Sequence, residues 1–73
     1  MQFCLLLTPK FCFQLFQAVY SFQARNDLEL TMDEGDIVRV IEEHDQDGNS
    51  EWWLVDRYGK RGYVPASYVF KVR

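Results

Sequence analysis

Residues 36–43 read DIVRVIEE. In extended backbone, Val38 and Val40 fall on one face and Ile37, Arg39 and Ile41 on the other. The run stops at HDQDGNS, where Asp, Asn and Gly tolerate left-handed backbone and favour a turn. The same rhythm recurs downstream. EWWLVDR reads as a strand and YGK as a tight turn. RGYVP is a short strand closed by a proline that cannot join a central ladder. ASY suits one 3-10 turn, and VFKVR a last strand. Upstream, FQAVYSF alternates and is rich in aromatic and β-branched residues, a strand signal. QARNDLELTMDEGD is polar and acidic, punctuated by Leu28, Leu30 and Met32 and closed by Gly35-Asp36. It reads as a long, ordered loop or an irregular hairpin. Five short strands with no helix of useful length define an all-β chain, a small barrel or a sandwich. No internal repeat or low-complexity tract interrupts it.

Size narrows the possibilities. The chain has 73 residues, enough for one domain and too few for a catalytic cleft between two. Its 48% apolar and 16% aromatic content suits a packed core. The net charge is −3, and Lys10 is the only charged residue in residues 1–17. Residues 18–73 therefore hold seven basic and eleven acidic residues, a net of −4. Phosphate backbones and anionic lipids attract positive surfaces, so this balance excludes nucleic acid and direct membrane insertion as expected modes of action. Basic partners are favoured instead.

The opening MQFCLLLTPKFCFQLFQ differs from the rest. The apolar run 3–7 is too short to span a bilayer, and Thr8-Pro9-Lys10 breaks it. An early basic residue is missing, which weighs against a secretory signal; a remnant of gene prediction or splicing is an equal reading. Residues 1–15 are expected to form a poorly ordered apolar extension, with the domain proper in residues 16–73. Phe11, Phe13 and Leu15 alternate and could lengthen the first strand. Cys4 and Cys12 have seven residues between them, a spacing that fits neither a CxxC motif nor a zinc site, and no His cluster lies beside them. The plain reading is free thiols in a reducing cytosol, and a cytoplasmic location.

Four short motifs carry a resemblance. AVYSF resembles the ALYDY that opens Src-homology-3 (SH3) domains, and LELTMDEGD resembles their DELSF-xx-GD. EWWLV matches their paired tryptophans after an acidic turn, and GYVPASYV their GYIPSNYV. They occur in the family's order across residues 18–72. More narrowly, GNSEWWLV with GKRGYVP resembles the domains carried by some Rho-family guanine-nucleotide exchange factors.

The resemblance implies a small five-stranded barrel of two orthogonal antiparallel sheets that binds proline-rich peptides in an aromatic groove. A polyproline II segment is already extended, so ordering it costs little, and Tyr and Trp give flat apolar walls with polar tips. Carried over by position, Tyr20, Phe22 and Tyr68 line the proline pockets. Trp52 separates them from a charged pocket, its indole N–H facing a ligand carbonyl. Pro65 floors the space between Trp52 and Tyr68. Glu29, with Asp27 beside it, pairs with a flanking Arg or Lys, and Tyr63 adds a contact near that pocket. Asp45, Asp47 and Glu51 flank the groove. Trp53 shares its face with Val55 and is expected to pack at the barrel's margin. The expected core is Ala18, Leu30, Val38, Val40, Val55, Val64 and Val69, with Gly35, Gly59 and Gly62 serving backbone geometry. His44 is a lone surface histidine.

Some positions depart from the pattern. Phe22 stands where Tyr is usual, which removes one hydroxyl hydrogen bond worth about 0.5–1.5 kcal/mol. Ser21 replaces Asp, and Leu28 replaces an acid. Ser67 replaces the customary Asn that reaches a ligand carbonyl. Affinity near micromolar, about −8 kcal/mol, is expected. The expected partner is a proline-rich segment with a basic flank, in another protein or in the parent chain, bound by a monomer without cofactor. Other readings are a structural domain with a degenerate groove and an aromatic-cage reader of methylated lysine. An enzyme would need a nucleophile beside a base, paired carboxylates in a pocket or a metal cluster, and the motifs contain none.

Overall fold

The computed structural model describes residues 14–72, with the side chain of Gln14 left aside. The cysteines, Phe11, Phe13 and most of the apolar extension lie outside the described residues. Five strands follow one another: β1 (Gln14–Ala18), β2 (Ile37–Glu42), β3 (Trp52–Arg57), β4 (Lys60–Pro65) and β5 (Val69–Lys71). One 3-10 turn, Ala66–Tyr68, joins β4 to β5. Every pairing is antiparallel, in the order β4-β3-β2-β1-β5. The ladder runs without a break, so the two sheets of the expected barrel share strands. At Ile41 the register shifts by one residue, since Val40 faces Val55 and Glu42 faces Leu54. Such a bulge bends and twists its strand, which lets β2 serve both halves.

Two strand boundaries differ from the alternation pattern. β1 begins at Gln14, inside the expected extension, because residues 14–17 pair with Val40 through Ile37. It also ends at Ala18, four residues before Phe22. There Ala18 receives the N–H of Gly35 and gives its own to Asp36, which closes the neck of the 19–36 loop. That loop is an irregular hairpin. Phe22 and Met32 exchange both backbone hydrogen bonds, at 2.8 and 2.9 Å. Its tip folds onto β4, where Tyr63 donates to Leu28 O at 2.8 Å and Leu30 donates to Tyr63 O at 3.1 Å. The β3–β4 turn holds two residues, Tyr58 at φ 55° and Gly59 at φ 83°. Two positive φ angles in succession make a type I′ turn, whose twist matches the strands.

The buried core is Phe16, Ala18, Met32, Val38, Val40, Val55, Val64 and Val69. Leu30, expected inside, is only half-buried: it lies across Gly62 and packs against the edge of the core. Met32 takes the interior place instead, fully buried. Phe16 joins Ala18 two residues on, on the inward face of β1. Trp53 packs its edge on Phe16, centroids 5.3 Å apart at 87°, at the margin of this core.

Candidate functional site

The adjacent tryptophans divide their work as strand alternation requires. Trp53 donates its indole N–H to Ser50 O at 2.9 Å and faces the core cluster. Trp52 is half-buried on the opposite face, and its indole N–H has no protein partner among the described residues. No unbonded side-chain polar atom is buried there, so this N–H is open to solvent.

From Trp52 a row of rings runs across the surface. Phe22 meets Trp52 at 5.8 Å and Tyr68 at 6.0 Å, and Tyr68 meets Tyr20 at 5.3 Å. All are edge-to-face contacts, the favoured geometry of ring pairs. Separate parts of the chain supply them: the 19–36 loop, the start of β3 and the 3-10 turn. Three features bring them together. Val19 donates to Tyr68 O at 2.8 Å, the Phe22–Met32 bridge lays the loop over the barrel, and Trp52 pairs with Pro65 across the ladder. Pro65 thus ends β4 beside Trp52, with Ser67 and Glu51 in the same shallow cavity. The hydroxyls of Tyr20, Tyr63 and Tyr68 also have no protein partner among the described residues.

On the other side of Trp52 is a charged cavity of about 320 Å³. Glu29, Asp45, Asp47 and Tyr63 line it with Leu28, and so do Arg25, Asn26 and Gln46, which the motifs did not point to. Glu29 is held there by a parallel bridge to Tyr63. Across the cavity, one Asp45 oxygen accepts the N–H groups of Asp47 and Asn49 at 2.8 and 2.9 Å. Gly48, at φ 83°, closes that turn. Asp47 is exposed, and its carboxylate has no partner among the described residues. His44 is exposed too, with its Nδ1 2.9 Å from Asp45 O.

Two features depart from the motif-derived arrangement. Asp27 does not line the Trp52 cavity: it lies on the far side of the loop, in an opening with Arg57, Tyr58, Lys60 and Arg61. The loop turns over at Asn26, whose Oδ1 accepts the Leu28 N–H at 2.9 Å; Glu29 borders both openings, Asp27 only the second. Glu29, in turn, is already engaged. Arg25 gives it three hydrogen bonds, from its backbone N at 2.9 Å, Nε at 3.1 Å and Nη2 at 2.8 Å. These bonds hold the Glu29 carboxyl below the usual carboxylate range and raise the Arg25 guanidinium. Arg25 Cζ stands 5.2 Å from the Trp52 ring centroid. The sequence signal for Arg25 was slight: a cation four residues before Glu29 in a segment with no helical period.

The known relatives fit this geometry. Residues 18–70 match the family model described as a variant SH3 domain. The chain belongs to that family. It is 48% identical over 59 residues to mouse Rho guanine nucleotide exchange factor 38, and 47% identical over 58 residues to rat dynamin-binding protein. Those matches cover 81% and 80% of this chain, but only 8% and 4% of the relatives. Among solved structures, the C-terminal SH3 domain of Entamoeba histolytica myosin IB bound to an EhFP10(GEF) peptide superposes with a TM-score of 0.72 at 31% identity. It covers 84% of this chain and 95% of that one. The Acanthamoeba myosin I SH3 domain bound to Acan125 gives 0.70 at 37% identity, covering 81% and 95%.

Proposed function

We propose that the chain is a non-catalytic interaction module that binds proline-rich segments in polyproline II conformation along the Tyr20–Tyr68–Phe22–Trp52 row. The observation that carries this is the row itself, contiguous rings ending at an indole N–H with no protein partner beside Pro65. Proline rings seat between the aromatic edges, and Trp52 Nε1, with the Tyr hydroxyls and Ser67, meets the ligand's carbonyls. A flanking Arg or Lys is drawn to Glu29, Asp45 and Asp47. Two solved relatives are complexes, one with a peptide and one with Acan125, which supports a peptide-binding role. The ligand lies in another protein or elsewhere in the parent chain, and the domain acts as a monomer in the cytoplasm. Among the described residues no helix is long and apolar enough to cross a membrane.

Titration of the isotope-labelled chain with a Pro-x-x-Pro peptide tests this. The Trp52 indole resonance should shift while that of Trp53 stays in place. Shifts confined to the opening around Asp27 and Lys60 would place the ligand elsewhere.

A further inference from the structure

We propose that Arg25 is a resident occupant of the cation place at Glu29, so that a ligand's flanking Arg pairs with Glu29 only by displacing it. The inference rests on the groove reading above and specifies its selectivity. The Arg25 guanidinium meets Glu29 side-on, through Nε and Nη2, and stands over the Trp52 ring. Carboxylate and indole together are what an incoming guanidinium would seek, since forked pairing and ring stacking are its favoured contacts.

Little capacity remains at Glu29. Oε1 accepts from both Arg25 N and Arg25 Nε, and Oε2 accepts from Nη2. A carboxylate oxygen offers about two acceptor sites, so a second guanidinium finds only part of Oε2 and no side-on pair. The Glu29 side chain is 9% exposed and that of Arg25 64%, so the carboxylate is reached from outside mainly where Arg25 lies. Arg25 is also tethered four residues away, which gives it an effective concentration that a free peptide at micromolar levels does not match. The backbone bond from Arg25 N to Oε1 survives side-chain replacement and keeps Glu29 in place.

Apparent affinity scales with the fraction of sites that are open, so a site closed two-thirds to nine-tenths of the time weakens a basic-flanked ligand roughly three- to tenfold. Arg25 therefore lowers the preference for basic flanks that Glu29 would otherwise give, and leaves a weak attraction to Asp45 and the exposed Asp47 in the same cavity.

The test compares two synthetic peptides with one Pro-x-x-Pro core, one bearing Arg at both ends and the other citrulline. Both are titrated calorimetrically into the full chain and into R25Q. The citrulline peptide reads the ring row alone, and the ratio of the two dissociation constants reads the cation place. We expect a ratio within about twofold of one in the wild type and roughly three- to tenfold in favour of Arg in R25Q. R25K, charged but without the fork, should fall between; it also carries the test if R25Q melts without cooperativity. Adding E29Q to R25Q should return the ratio to near one. If the citrulline peptide binds but R25Q leaves the ratio where it was, the resident-cation inference is overturned and the groove reading stands. If neither peptide binds either protein, the groove reading fails and takes the inference with it.

Discussion

Gly62 on β4 lies directly beneath Leu30 of the 19–36 loop: a Cβ added at Gly62 would stand 2.8 Å from both the Leu30 Cβ and the Leu30 backbone N. The same added atom would meet the Glu29 carbonyl carbon at 2.8 Å. The loop can therefore rest on the barrel only where β4 has no side chain. Gly62→Ala should lift it, destabilising the fold by about 1–3 kcal/mol, the range of overpacked sites. Because Glu29 rides on this contact, cross-peaks of Arg25 and Glu29 should move along with the melting temperature. A mutant that melts like the wild type would show that the loop does not need this close approach.

Trp52 and Trp53 predict opposite phenotypes. Trp52→Lys removes the ring between the two cavities but no core contact, so peptide binding should vanish while the melt shifts little. Trp53→Ala loses the edge contact with Phe16 and the Ser50 bond, and should lose roughly 2–3 kcal/mol, less than the 3–5 of a fully buried ring. Denaturant unfolding and peptide titration of both variants separate the two roles. Loss of binding and of stability together in Trp52→Lys would contradict the division.

The pH dependence should be led by Asp56, which is 5% exposed. Burial pushes its carboxyl up, but hydrogen bonds from Arg39 and the Gly59 N–H, with Arg39 charge and Arg61 added, outweigh burial and hold it below the usual range. The Oδ1 atom lies 3.2 Å from Arg39 Nη2 and 3.1 Å from Gly59 N. Its folded value being lower than its unfolded value of about 4, the stabilisation is complete above about pH 4 and is lost as pH falls through the folded value. Glu29 acts in the same direction. Asp56→Asn should melt lower at neutral pH and lose less on acidification, which a series of thermal melts from pH 7 to pH 2 reads directly.

Tyr58 holds a left-handed φ of 55° and is 86% exposed. That backbone costs a β-carbon residue about 1–2 kcal/mol, and Asn less. The Arg57 guanidinium over the Tyr58 ring, at 5.1 Å, offsets part of it, about 0.5–1 kcal/mol at an exposed site. Tyr58→Asn makes the turn Asn-Gly and should be net stabilising by about 0.5–1 kcal/mol. Denaturant midpoints would decide this, and a lower midpoint would mean that the cation–ring contact outweighs the backbone strain.

Alternation and turn chemistry made β2, β3, β4 and the tight turn between the last two legible in the sequence, because strand faces and tight turns depend on neighbouring residues. The same local rule separated Trp52 from Trp53. The row Tyr20–Tyr68–Phe22–Trp52 could be anticipated only through the resemblance, since three distant segments supply its rings. What the chain order could not convey is where the 19–36 loop comes to rest. A segment without a repeating period gains its shape from what it lands on, and here that is Gly62 and Tyr63. That landing exchanges Leu30 for Met32 in the core and turns Asp27 away from the acidic mouth. It also lays Arg25 against Glu29 and Trp52, because the nearest guanidinium fills a desolvated carboxylate once folding has brought the two together.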